Sequence, residues 1–283
     1  MKFETVNKKS FFTYLDFRTK LLMIIVVTII TFLWESPFTE GLLSLVIGYG
    51  CILAGIQLNY FKKIFMFMIP FHSFILIVTG FFYIDQIKVL LNINDLTPIF
   101  ILPSSWFWIG GLTMNYEGIL YGLNIIFKTL NMVLIIPLGI FTTDVNDMVI
   151  GMVKMKIPYK IVFIFSSTLR FFPLLVEEIQ SILEAQKLRG LALNKVSFKK
   201  KAIIYLNLAV SLILNSMAKT NQIEIVLQSK SFSGSSNRTY LHESSFNNFD
   251  YLTISFLITF LMSVIFVYFW YGIGEFSWLV NSN

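Results

Sequence analysis

The chain reads as long apolar stretches separated by short polar ones. Apolar runs occupy Leu21–Trp34, Gly41–Leu58, Ile64–Tyr83, Gly118–Phe141 and Tyr251–Tyr271. A helix that crosses a bilayer needs about 20 apolar residues at roughly 1.5 Å of rise each. The third, fourth and fifth runs meet that length; the second is marginal and the first is short. Glu35-Ser36-Pro37 separates the first two and marks a turn. Between the third and fourth runs, Ile84–Tyr116 carries Ile99–Leu102, Pro103, Trp106, Phe107 and Trp108. Aromatic residues beside an apolar run predict an interfacial segment.

The stretch Thr142–Asp250 has a different pattern. A helix is predicted from Ile157-Pro158 to about Arg189, apolar all round over Ile161–Phe165 and amphipathic after Pro173. Leu175, Ile179, Ile182 and Leu183 recur at helical spacing, opposite Glu177, Glu178, Gln180, Ser181, Glu184 and Lys187. Pro173 is expected to kink this helix, and Gly190 to stop it. A second helix is predicted from about Ala202 to Ser229, with an apolar body and a polar far end. Each helix places a cation, Arg189 or Lys230, just before a break. Four lysines in Lys195–Lys201 suit an anionic membrane surface.

Composition changes the picture from apolar to membrane-embedded. Of 283 residues, 56% are hydrophobic and only 13% charged, against about 25% charged in a soluble domain. With a mean hydropathy of +0.73, an ordinary soluble enzyme and a disordered chain are both excluded. The lone Cys51 rules out an internal disulfide or a cysteine-rich metal site. The net charge of +6 is read through the positive-inside rule and not as a nucleic-acid signal. Lys2, Lys8, Lys9, Arg18 and Lys20 precede the first run, and Lys62-Lys63 lie between the second and third. The gap between the first and second runs holds only Glu35 and Glu40. The expected N-terminus is therefore cytoplasmic, the tail from Gly272 outside, and Thr142–Asp250 cytoplasmic. No cleaved leader is read at the N-terminus.

Candidate chemistry is sparse. The chain has no Gly-x-x-x-x-Gly-Lys-[Ser/Thr], so any nucleotide chemistry lies in another chain. Glu177 and Glu178 are adjacent, point to different sides of a helix, and read as a solvated face or an intersubunit contact. Lys128 falls within the fourth run, and an intramembrane charge is a functional candidate by default; a snorkelling lysine is the plainer alternative. His72 reads as structural, and Thr142-Thr143-Asp144 as a helix N-cap.

Thr168–Gly190 reads TLRFFPLLVEEIQSILEAQKLRG. It resembles the transmembrane (T) component of energy-coupling factor (ECF) transporters, in which Arg-Phe-x-Pro, Glu-Glu and Ala-Gln-x-x-Arg-Gly are characteristic. Arg170, Phe171, Pro173, Glu177, Glu178, Ala185, Gln186, Arg189 and Gly190 match that pattern, with Leu188 where the family's Ala-Arg-Gly signature has Ala. The N-terminal LDFRTKLL is similar to the family's Leu-Asp-Pro-Arg-x-Lys-Leu, with Phe17 in place of Pro. A second Ala-Arg-Gly is expected about forty residues on; Ser229-Lys230-Ser231 stands there, keeping the charge without the planar fork. The likeness spans roughly Leu15–Thr239.

The resemblance implies an all-α polytopic membrane protein with about five transmembrane helices and two long cytoplasmic coupling helices. Its expected divisions are transmembrane helices with an outer interfacial segment (1–141), the coupling-helix region (142–250), and a C-terminal transmembrane helix and tail (251–283). It implies a non-catalytic scaffold of an ABC-type importer of a vitamin or other micronutrient. Its partners would be two ATPase subunits, one small membrane-embedded S component that binds the substrate, and lipid, but no nucleic acid. No cofactor is expected on this chain; ATP and Mg²⁺ belong to the partner ATPases. Ala185, Gln186, Leu188, Arg189, Gly190, Ser229, Lys230 and Ser231 become the ATPase-docking candidates. Arg170, Pro173, Leu175, Ile179, Ile182 and Leu183 become candidates for coupling-helix structure and S-component contact. The competing classes are a stand-alone carrier and a lipid-modifying membrane enzyme. The first predicts internal repeats and the second clustered carboxylates or histidines; the sequence supplies neither.

Overall fold

The computed structural model describes residues 10–83, 87–89, 96–101, 113–189, 197–232 and 246–276. Nine helices and one small sheet are found among them. They are α1 (Phe11–Tyr14), α2 (Phe17–Leu33), α3 (Pro37–Leu53), α4 (Leu58–Phe82), α5 (Tyr116–Ile140), α6 (Val145–Lys154), α7 (Tyr159–Leu188), α8 (Phe198–Ser229) and α9 (Asn248–Tyr271). Strands β1 (Pro98–Ile101) and β2 (Thr113–Asn115) pair antiparallel within the segment expected to be interfacial; Trp106, Phe107 and Trp108 lie outside the described residues.

Among the described residues, five helices are long and apolar enough to cross a membrane: α4, α5, α7, α8 and α9. The number matches the expectation, but the set does not. The first two apolar runs form α2 and α3, each 17 residues, or about 25 Å, short of the roughly 30 Å hydrocarbon core. In their place stand α7 and α8, the two helices expected to be coupling helices.

The chain divides into two compact units. The first comprises the described residues of 4–144 and 244–283 and holds α1–α5, the sheet and α9. Local signals set its helix ends. Asp16 caps α2 by accepting from the Arg18 N–H at 3.0 Å, and Pro37 opens α3. Asn247 and Asp250 form a capping box at the start of α9, and Gly272 ends that helix at φ 64°. Its core joins Met23, Ile30, Leu43, Ile47, Cys51, Leu134 and Leu138 with Leu257 and Val264. The α2–α3 turn is held by Glu35 and Ser36 N–H groups donating to the Gly274 carbonyl at 2.7 and 2.9 Å. Gly274 can be nothing larger, because a Cβ would stand 2.5 Å from Trp34. Helices α4 and α5 approach closely through Gly118 and Gly122, spaced as a Gly-x-x-x-Gly pair against Thr79 and Gly80.

The second unit holds α6, α7 and α8. Lys156, at φ 62°, turns the chain between α6 and α7. Helix α7 runs through Pro173 without interruption. Helices α7 and α8 pack antiparallel: Phe163, early in α7, meets Phe232, just past α8, with ring centroids 4.7 Å apart. Further along, Lys219 donates to Glu178 at 2.5 Å.

Candidate functional site

The two signature segments are the C-terminal tips of α7 and α8. On α7, Ala185, Leu188 and Arg189 are exposed and Gln186 is half-buried; Gly190 lies outside the described residues. Leu188 is 90% exposed, an apolar side chain standing free beside the Arg189 cation. The Arg189 N–H closes the last turn on the Ala185 carbonyl at 3.2 Å. The positive side chain sits where the helix dipole favours it.

The α8 tip is built differently from the expected Ala-Arg-Gly. Ser229, Lys230 and Ser231 are all exposed. Ser231 adopts φ 52°, the left-handed conformation a glycine ordinarily supplies. Its N–H donates to the Gln228 carbonyl at 2.9 Å, and the Phe232 N–H to the Leu227 carbonyl at 2.9 Å. These are the two bonds of a Schellman cap. The helix therefore ends where a glycine would end it, although the glycine is missing. Phe232 then anchors the cap on Tyr159 and Phe163 of α7.

The ion pair between Glu178 and Lys219 gives the two tips a common reference. Arg189 lies eleven residues beyond Glu178, and Lys230 eleven residues beyond Lys219. Because the helices are antiparallel, the tips diverge by about 16 Å each from the pair, in opposite directions. Glu178 was expected on a solvated face or an intersubunit contact; its carboxylate instead joins α7 to α8, with its side chain 15% exposed. Leu175, Ile182, Leu183 and Pro173 are half-buried, whereas Ile179 and Arg170 are exposed. Ile161, Ile164, Phe172 and Leu174 on α7 and Leu206, Val210, Ile213 and Leu214 on α8 are also exposed. This is a broad apolar surface for two helices that carry polar tips.

Lys128 belongs to the first unit. It is half-buried on α5, within electrostatic reach of Glu40 and Glu35. The neighbouring contacts are polar ties from α5 to α3 and to the α2–α3 turn. Asn131 donates to the Glu40 carboxylate at 2.7 Å and to its carbonyl at 3.2 Å, and Asn124 donates to the Glu35 carbonyl. His72 meets the Thr129 hydroxyl at 2.9 Å, joining α4 to α5. Thr142 and Thr143 turn back, donating to Leu138 and Gly139 at 2.6 and 2.7 Å, and Asp144 stands immediately before α6.

Sequence reasoning left one cluster without a role. Asp16, Thr19, Lys20 and Asp250 are buried together with Thr142 and Thr143. The sequence marks its parts separately, Asp16–Lys20 through the family resemblance and Thr142-Thr143 as a helix end, and does not join them.

The family model described as cobalt transport protein, CbiQ, matches residues 8–241. A protein named energy-coupling factor transporter transmembrane protein EcfT from Acidaminococcus fermentans is 25% identical over 251 residues, 84% of this chain and 85% of the relative. Proteins of the same name from Staphylococcus aureus and Streptococcus thermophilus are each 25% identical, covering 88% and 87% of this chain and 90% and 89% of theirs. A predominantly helical architecture among the described residues, apolar helices long enough to span a bilayer and a family match over most of the sequence lead to one conclusion: this chain belongs to the CbiQ family and is a multi-pass membrane T component of an ECF transporter.

Proposed function

We propose that this chain is the non-catalytic scaffold that couples ATP hydrolysis, performed by two separate ABC-type ATPase subunits holding ATP and Mg²⁺, to reorientation of one small membrane-embedded S component. The cargo would be a vitamin or another micronutrient. The observation that carries the reading is the antiparallel α7–α8 pair. It presents two cationic tips, Arg189 and Lys230, symmetrically about the Glu178–Lys219 contact. Two tips facing opposite ways suit two copies of a docking cleft. A guanidinium offers an acidic cleft a bidentate contact, and an ammonium a point charge. Leu188, exposed beside Arg189, adds an apolar knob to the first contact. The exposed apolar bodies of α7 and α8 then receive the S component and lipid. In this reading 142–250 is the cytoplasmic coupling region, 1–141 and 251–283 are the membrane parts, and the N-terminus is cytoplasmic.

The test is co-purification from membranes of cells expressing the chain with its ATPases and S component. The wild-type chain recovers two ATPase subunits and one S component, and by itself neither binds nor hydrolyses ATP. The Arg189→Ala/Lys230→Ala double variant keeps its melting temperature and loses the ATPases. Full recovery of the ATPases by that variant moves docking to other residues.

A further inference from the structure

The segment Asp16–Lys20 holds the chain at both places where the first unit gives way to the second. Asp250 lies near the start of α9, just after the chain returns. Its Oδ1 accepts from the Asp16 backbone N–H and from the Thr19 hydroxyl, each at 2.9 Å. Its Oδ2 accepts from the Asn247 N–H at 2.9 Å. At the other connection, the Lys20 ammonium donates to the Thr142 carbonyl at 2.8 Å and the Thr143 hydroxyl at 3.0 Å. These are the residues immediately before Asp144, where the first unit ends. Arg18 completes the cluster. Its guanidinium bonds the Asp16 carboxylate at 3.2 and 3.3 Å and lies 3.8 Å from the centre of the Phe246 ring.

Burial makes these contacts unusual as mere fastening. Thr19 is 0% exposed, and Lys20 and Asp250 are each 1% exposed. Burying charge is costly, and apolar side chains of similar volume fasten helices at least as well. What directed bonds add is position: each acceptor is held at one distance and angle. Both connections are thereby fixed to the same five residues, at the start of α2. We propose that Asp16–Lys20 is a clamp that prevents slack in the two connections, so that movement of the coupling helices reaches α2, α5 and α9 and is not absorbed between the units. The inference rests on the coupling role proposed above. Thr19, Lys20 and Asp250 act in it as positioning residues.

The assay uses the assembled complex in lipid nanodiscs, with spin labels on introduced cysteines; the native Cys51 is buried and is left in place. One pair, Glu184→Cys with Thr220→Cys, reports on α7 and α8. A second, Ser73→Cys with Ser255→Cys, reports on α4 and α9. Distances are compared with ADP and with a non-hydrolysable ATP analogue. In the wild type both pairs respond to nucleotide. Lys20→Met, Asp250→Asn and the volume-conserving Thr19→Val keep the response of the first pair and ATP hydrolysis within about twofold. They lose at least half of the second pair's response, Thr19→Val least. The proposal is overturned if the second pair responds fully in all three variants. It is also overturned if Lys20→Met and Asp250→Asn simply fail to fold while Thr19→Val behaves as wild type, because the cluster is then structural only. A wild-type complex that does not assemble, or in which neither pair responds to nucleotide, removes the coupling reading itself, which separates the two failures.

Discussion

Replacing Gly118 by Ala tests the close backbone approach of α4 and α5. A Cβ at this position would stand 2.8 Å from the Thr79 carbonyl oxygen, 3.0 Å from the Gly80 Cα and 3.2 Å from the Gly80 carbonyl oxygen. Carbon atoms prefer separations of about 3.5–4.0 Å. All three neighbours are backbone, so no rotamer change relieves the overlap and α4 and α5 must move apart. Overpacking of this kind costs about 1–3 kcal/mol. Alanine recovers about 1 kcal/mol of helix propensity over glycine, so the net loss is about 0–2 kcal/mol. Gly48→Ala on α3 isolates the propensity contribution, because nothing lies within 4 Å of the Cβ it would add. The difference between the two variants is then about 1–3 kcal/mol, from overpacking alone. Gly122→Ala falls between them. Its Cβ would meet the Thr79 hydroxyl, a side chain that can rotate away by giving up its 2.8 Å bond to the Ile75 carbonyl, at about 0.5–1.5 kcal/mol. Denaturant titration in mild detergent, followed by tryptophan fluorescence, measures all three. Equal stabilities for Gly118→Ala and Gly48→Ala, within about 0.5 kcal/mol, would refute the close approach.

Other perturbations separate local conformation, buried polar contacts and docking. Ser231→Gly removes about 1–2 kcal/mol of left-handed strain against about 0.4–1 kcal/mol of added unfolded-state freedom; hydrogen exchange at the Phe232 amide should slow a few-fold, and an unchanged rate counts against the cap. Asn131→Leu strands the buried Glu40 carboxyl and should cost about 1–3 kcal/mol, whereas the double variant Glu40→Leu/Asn131→Leu should recover most of it because neither partner is left unpaired; additive losses in thermal melts would contradict this. Arg189→Ala should leave stability within about 0.5 kcal/mol of wild type and weaken ATPase binding by about 2–5 kcal/mol, roughly 30- to several-thousand-fold. Arg189→Lys should restore it only in part, since the fork is lost; full recovery in a pull-down titration would mean that charge alone suffices.

What the sequence determined by itself is local. Both ends of α7 and the C-terminal end of α8 are legible because the signals that set them act within one helical turn, Pro158 before α7 and a polar tip closing each helix, whereas α8 starts at Phe198, a turn before the expected Ala202. Membrane class is legible because it depends on summed composition, and the family resemblance because the α7 block is contiguous. Pairing across the chain is not legible. Asp16 meets Asp250 across 234 residues and Lys20 meets Thr142 across 122, and no periodicity carries information over such separations. Glu178 reads as a surface carboxylate until the antiparallel packing of α8 brings Lys219 to it. Gly118 and Gly122 are unremarkable in an apolar run until α4 lies against them. Ser231 shows the same division: the sequence records a missing glycine, but the backbone bonds and the packing of Phe232 on α7 hold serine in the conformation glycine would have taken. Helix ends depend on contacts among neighbours in sequence, whereas these pairings depend on neighbours in space, which only the folded arrangement supplies.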